Sequence, residues 1–156
     1  AGTPGELLAG GYSLMLGLYK KERQDTFLGE WLYPTGDMCR VDEDGWVTFV
    51  TRLSEMVKIS GANVAPLEVE MLINQDDAVR ECAVLGVDSG RRTELVAAVL
   101  LHAGAELDEA GLITRLKGEL SSFKVPKRIV VLSDDEVPRT ATGKIHKPSL
   151  KTRLAG

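Results

Sequence analysis

Lys144 closes a run of small residues, Thr140, Ala141, Thr142 and Gly143, that follows Pro138 and Arg139. A small-residue turn ending in Gly-Lys can present backbone amides and one ammonium to a phosphate or carboxylate oxygen. It is not a P-loop, because Pro138 stands where the first glycine belongs and Ile145 replaces the hydroxyl residue that would hold magnesium. No two glycines are spaced Gly-x-Gly, which excludes a dinucleotide fingerprint. The sequence predicts a flexible loop that delivers one lysine as a point charge. A second candidate is Asp37 after Thr35 and Gly36, a carboxylate able to accept two hydrogen bonds from a ribose or simply to close a turn. The third is a block of fixed order: Arg52, a short linker, Lys58, a turn at Gly61, then Pro66 opening a helix.

These residues need elements to hold them. Before Arg52, short alternating stretches at 6–10, 38–41 and 46–50 predict strands. Asp42, Glu43, Asp44 and Gly45 between the last two read as a hairpin connection. They do not make a calcium loop, since Arg40 occupies the place of the first Asp and no bidentate Glu follows. Beyond Arg52, Pro66 at a first helical turn and the apolar positions that follow predict a helix over 66–74, with Glu68 and Glu70 favouring its positive end. Two apolar, β-branched runs at 81–87 and 94–101, separated by a turn, predict adjacent strands. Asp108 caps a helix reaching about Ser121 with Leu112, Ile113, Leu116 and Leu120 on one face. A third strand is expected at 128–132 and a terminal helix at 147–154. The fold class is therefore α+β: a short strand-rich segment, 1–52, followed by a small three-stranded-sheet domain with packed helices, 53–156. Trp31, Trp46 and Phe49 are expected in the core, with Phe49 the best placed of them to touch a nucleotide.

A chain of 156 residues, 44% hydrophobic and 27% charged, can bury a real core and is not disordered by composition. Its longest apolar run, 95–101, is far short of the ~20 residues a membrane-spanning helix needs. Cys39 and Cys82 lie in unrelated contexts, which argues for a reducing compartment, and a cytoplasmic location is the expectation. His102 and His146 lack metal-ligand neighbours, so no protein metal site is expected. The net charge of −4 argues against nucleic acid, yet residues 124–156 carry eight Lys or Arg against three acids. A basic segment on an acidic chain suits a small anionic partner.

Taken in order, the motifs resemble one family over essentially the whole chain. Gly5, Glu6 and Leu7; Gly10 and Gly11; Gly17 and Tyr19; Trp31 with Thr35, Gly36 and Asp37; Asp44, Gly45 and Trp46; the block from Arg52 to Glu70; Phe123 to Pro126; and Pro138 with Thr142, Gly143 and Lys144 are similar to the adenylate-forming (AMP-binding) acyl-CoA ligases. The run from Met56 to Pro66 looks most like fatty or aryl acyl-CoA ligases. The resemblance implies the C-terminal portion of such an enzyme: the end of its large nucleotide-binding domain joined to its mobile lid. It also implies a partner, the large N-terminal domain with the phosphate loop and acyl pocket, without which the chain is expected not to turn over.

Carried onto this sequence, the resemblance implies that Asp37 binds ribose hydroxyls, that Arg52 contacts the same nucleotide and that Lys144 bridges the attacking carboxylate and the α-phosphate. It places the lid hinge at Ser54, where the family more often has Asp or Lys; Thr51 likewise stands where Gly is usual. After lid rotation Lys58, Ser60 and Gly61 would face the site beside CoA. ATP with its Mg2+, CoA as co-substrate and a small carboxylic acid are the implied ligands. Two other readings stay open: a non-catalytic binding module with the same fold, and an adenylating enzyme that loads a carrier protein. Apolar surface left by the absent domain predicts self-association.

Overall fold

A computed structural model describes residues 2–90 and 92–155. The chain divides into two compact units, Ala1–Glu55 and Met56–Gly156. The first unit is an antiparallel sheet in the order β1 (Gly5–Ala9), β2 (Tyr33–Val41), β3 (Val47–Arg52). The predicted turn is present: Asp42 Oδ1 accepts from the amides of Asp44 and Trp46, and Gly45 takes φ +86°, a conformation open to glycine at no steric cost.

Trp31, Trp46 and Phe49 are exposed, contrary to the core positions expected. The reason is the shape of the unit. A three-stranded sheet has two faces, and among the described residues of this unit only Thr26, Phe27, Cys39 and Thr51 are buried, so large rings elsewhere have nothing to pack under. Trp31 instead lies 5.6 Å from the Arg23 guanidinium, which also sits 4.3 Å over the Phe27 ring. The strand-like stretch that ends at Asp37 and the strand expected at 38–41 form one continuous β2, so Thr35, Gly36 and Asp37 lie within a strand.

The second unit is built on a three-stranded sheet, β6 (Val79–Asp88), β7 (Thr93–Leu101) and β8 (Arg128–Val131), with β6 and β7 antiparallel and β7 and β8 parallel. The parallel pair requires a crossover, supplied by α2 (Glu109–Glu119), whose first turn is capped by Asp108 Oδ1 accepting from the Gly111 amide at 2.9 Å. Helix α1 (Pro66–Ile73) and α3 (Lys147–Leu154) complete the predicted set. Where a linker and a turn were expected, the chain forms a hairpin, β4 (Val57–Ile59) and β5 (Ala62–Val64). Three-residue strands give too short an alternation to read from sequence, and Val57, Ile59 and Val64 alternate only once the turn at Ser60 and Gly61 is known.

Side chains alternate along β6 and β7, and both sets are apolar. Val84, Leu95, Ala97 and Val99 share a core with Ile59, Val64, Val69, Ile73, Leu112 and Leu116, which places the β4–β5 hairpin, α1 and α2 on one face. Leu85, Val87, Val96, Ala98 and Leu100 share a second core with Val137, Ile145 and Leu150, which places α3 and the segment before it on the other. Helix α3 fully buries only Leu150, a contribution of roughly 2–3 kcal/mol. An eight-residue helix is marginal alone, so tertiary anchors must hold it.

One anchor wraps the sheet edge. Glu70, expected to serve the α1 dipole, instead turns inward: Oε1 accepts the Val84 amide at 2.8 Å and lies 3.0 Å from Lys147 Nζ. The outer edge of β6 therefore has a side-chain acceptor, and α1 is tied to the first residue of α3. The helix-end role falls to Glu68, which pairs with Lys124 at 2.7 Å.

Gly86 lies on the first face, and a Cβ there would collide with Val57 Cγ1. Gly86→Ala is expected to push the β4–β5 hairpin off the sheet and lower stability by about 1–3 kcal/mol, read as a fall in the denaturant midpoint; an unchanged midpoint would mean the hairpin is not seated on β6. Burial, reinforced by the neighbouring Glu70 charge, pushes the Cys82 thiol up to about 12. The unfolded thiol ionises near 8.5, so the unfolded state loses its proton first as pH rises. Stability is predicted to decline from about pH 8.5 towards 12, and a Cys82→Ala variant should lose that part of the decline in alkaline unfolding curves.

Candidate functional site

The candidate residues fall into two groups, one in each unit. In the first, Asp37 and Arg52 are direct partners in the β2–β3 register. Arg52 Nε lies 2.7 Å from Asp37 Oδ1, an oxygen closed off from solvent without an aligned hydrogen-bond donor, so the contact is an ion pair rather than a directed hydrogen bond. Thr35, which sequence reasoning quoted but gave no role, organises the pair. Its hydroxyl donates to the Leu7 carbonyl at 2.8 Å and accepts the Asp37 amide at 3.1 Å, while its own carbonyl accepts from Arg52 at 3.5 Å. Gly36 between them takes φ +73°, and its amide donates to Glu6 at 3.1 Å. The arrangement holds a carboxylate and a guanidinium side by side. Asp37 is about a quarter exposed and Arg52 about half, and Phe49 stands exposed on β3.

In the second unit the two candidate lysines occupy matching positions. Lys58 lies in β4 paired with Asn63, and its neighbour Ile59 is buried in the first core. Residues in sequence on a strand point to opposite sides, so the anchored isoleucine aims the lysine at solvent. Lys144 is also on a hairpin, not on the flexible loop expected. Arg139 and Ile145 form a bridge, the His146 amide donates to the Pro138 carbonyl at 2.7 Å, and Thr140 donates to the Lys144 carbonyl at 2.8 Å. Gly143, at φ +82°, donates back to Thr140 at 2.9 Å, and the Thr140 hydroxyl accepts the Lys144 amide at 3.2 Å. This is a three-residue hairpin loop with glycine in the left-handed position, a geometry that the sequence Thr-Ala-Thr-Gly-Lys could have signalled. Ile145 packs into the second core, and Lys144 is exposed beside it.

The two lysine-bearing hairpins therefore stand on opposite faces of the same sheet. The turn of the first has Ser60 at φ +48° and Gly61 at φ +88°, both left-handed. That is the pattern of a type I′ turn, which favours Asn-Gly and strains a serine. Ser54 lies in a 3-10 turn, Leu53–Glu55, at the end of the first unit.

Among the described residues no group of three or more His, Cys, Asp or Glu is placed to hold a metal ion. His146 is occupied at the start of α3, with Nδ1 2.7 Å from Ser149 Oγ. No helix among the described residues is long and apolar enough to cross a membrane.

The second unit is thus a sheet covered on both faces, with Lys58 exposed on the hairpin of one layer and Lys144 on the hairpin of the other. Residues 68–144 match the AMP-binding enzyme C-terminal domain family. The chain is 35% identical over 99% of its length to a long-chain-fatty-acid–CoA ligase of Escherichia coli O6:H1, of which it spans 28%. It superposes on ATP-bound MatB from Rhodopseudomonas palustris with a TM-score of 0.87 at 30% identity, covering 99% of this chain and 31% of that one. It superposes on the anthranilate CoA ligase AuaEII, solved with anthranoyl-AMP, with a TM-score of 0.84 at 32% identity, covering 98% and 30%. The chain belongs to the AMP-binding, acyl-CoA ligase family and corresponds to its C-terminal part.

Replacing Ser60 by Asn should relieve the strained turn and stabilise the protein by roughly 0.5–1 kcal/mol. Chemical unfolding checks this, and a loss of stability would show that the serine side chain holds the hairpin in another way.

Proposed function

We propose that this chain is the lid and the adjoining nucleotide-binding strands of an ATP-dependent ligase that activates a fatty or aryl carboxylic acid as an acyl-adenylate and transfers the acyl group to CoA. In the first step a carboxylate oxygen attacks the α-phosphorus of ATP and pyrophosphate leaves with the bonding electrons. In the second the CoA thiolate attacks the acyl carbon and AMP leaves. The observation that carries this reading is the placement of Lys58 and Lys144 on opposite faces of one sheet. A domain so built can turn one cation and then the other towards a shared centre, which suits two reactions in sequence at one site.

In this reading Asp37 receives the ribose hydroxyls, and Arg52 fixes the carboxylate and contacts the nucleotide. Holding AMP through both steps removes the entropy cost of finding it twice. Phe49 supplies an exposed ring beside that pair. Lys144 places its ammonium where negative charge gathers between the attacking carboxylate and the α-phosphate. Ser54 absorbs the backbone change of lid rotation. Lys58, Ser60 and Gly61 then meet the pantetheine arm, where the absence of a side chain at Gly61 lets it pass close to the backbone. Magnesium would arrive with ATP, bound to its phosphate oxygens, and would offset their negative charge. The large domain, the acid and CoA are its partners, and a reducing cytoplasmic compartment suits its two buried thiols.

The test separates the half-reactions in the gene's full product. Lys144→Ala is expected to slow acyl-adenylate formation, measured as pyrophosphate release, by on the order of 10²–10³-fold. The same variant, given synthetic acyl-adenylate and CoA, should form thioester at close to the unaltered rate. Full pyrophosphate release by Lys144→Ala would remove the lysine from the mechanism. A full product that binds ATP but forms no adenylate with any acid would favour a binding module with this fold.

A further inference from the structure

Lys144 owes its place to a hairpin whose tip has no core residue of its own: Thr140, Ala141, Thr142 and Gly143 are all exposed. Backbone hydrogen bonds close the tip, but they do not fix it against the sheet. Arg139 does both. Its Nη1 donates to the Gly143 carbonyl at 2.8 Å, reaching across the tip to the residue before the lysine. Its Nη2 lies 2.8 Å from Glu81 Oε2, and Glu81 is on β6. Asp134 Oδ1, also held by Arg80, stands 3.5 Å from the same guanidinium. The fork geometry of arginine directs separate N–H groups of one side chain at a carbonyl and a carboxylate, a fixed alignment that the point charge of a lysine lacks.

We propose that Arg139, braced by Glu81, is a positioning residue for Lys144, fixing the lysine-bearing tip through the Gly143 carbonyl so that the ammonium is already in place when the α-phosphate accumulates charge. This deepens the ligase reading above and rests on it. A cation that stabilises a transition state must be aligned beforehand, and a displacement of about 1 Å costs on the order of 10²-fold. Arg139 touches neither nucleotide nor acid in this account. Its effect is confined to the step Lys144 serves, since the Lys58 hairpin lies on the other face.

The experiment compares Arg139→Ala, Arg139→Lys and the exchanged pair Arg139→Glu with Glu81→Arg, all in the gene's full product, with Lys144→Ala as reference. Arg139→Ala should lower kcat for adenylate formation by about 10–100-fold with the KM values for ATP and acid nearly unchanged, and leave thioester formation from synthetic acyl-adenylate intact. Arg139→Lys, which keeps the charge and the fold, should fall between. The exchanged pair restores the ion pair and the thermal midpoint but not adenylation, because a glutamate has no N–H to give the Gly143 carbonyl. Recovery of adenylation by the exchanged pair, equal slowing of both half-reactions, or no effect of Arg139→Ala would overturn the proposal. If Lys144→Ala itself adenylates normally, the ligase reading fails first, and that result is distinct from a silent Arg139 beside a crippled Lys144.

Discussion

Strands β6 and β7 are apolar on both faces, and that constraint shapes everything built around them. Val84 and Leu85, or Val96 and Ala97, point to opposite sides and are all buried. A sheet that is half-solvated would alternate apolar and polar; one that must be dry on both sides needs a covering layer for each. The chain supplies two layers, and each layer includes a short hairpin with an isoleucine turned inward and a lysine turned out. The placement of the two lysines on opposite sides follows from the packing requirement of the central strands.

Holding two layers on three strands calls for cross-links at the edges. Glu70 closes the β6 edge at Val84 and meets Lys147 from the opposite layer, while Arg139 meets Glu81 near the start of the same strand. The first of these pairs is largely buried, where losing one partner strands a charge; the second is partly solvated and is worth less as a stabiliser. Its value lies in direction, because it sets where the Lys144 tip sits. The first unit follows a different logic. Its sheet has few buried side chains, and its structure around Asp37 and Arg52 depends on Thr35 and on hydrogen bonds made by the backbone.

The sequence carried the long elements well because their signals are long: runs of six and seven uncharged, mostly apolar residues for β6 and β7, and the spacing of Leu112, Leu116 and Leu120 for α2. It carried the order of the motifs, from which the family followed. It did not reveal the β4–β5 hairpin, whose three-residue strands offer no repeat, nor the hairpin around Lys144, where small residues suggested looseness and the hydrogen bonds of Thr140 and Arg139 impose order. Trp31, Trp46 and Phe49 misled because aromatic character signals burial only where a second layer exists to provide it. Glu70 looked like a helix-dipole residue, and only the tertiary position of the β6 edge shows what it accepts.

The central claim is that Lys144 and Lys58 serve one centre in turn, from opposite faces of the same domain. The most direct measurement is a lysine-modification footprint of the gene's full product, read residue by residue by mass spectrometry, in the presence of ATP with a non-reactive acid analogue and then of AMP with CoA. The account predicts protection of Lys144 with Lys58 still reactive in the first state, and the reverse in the second. Simultaneous protection of both lysines in one state, or indifference of both to either set of ligands, would contradict it.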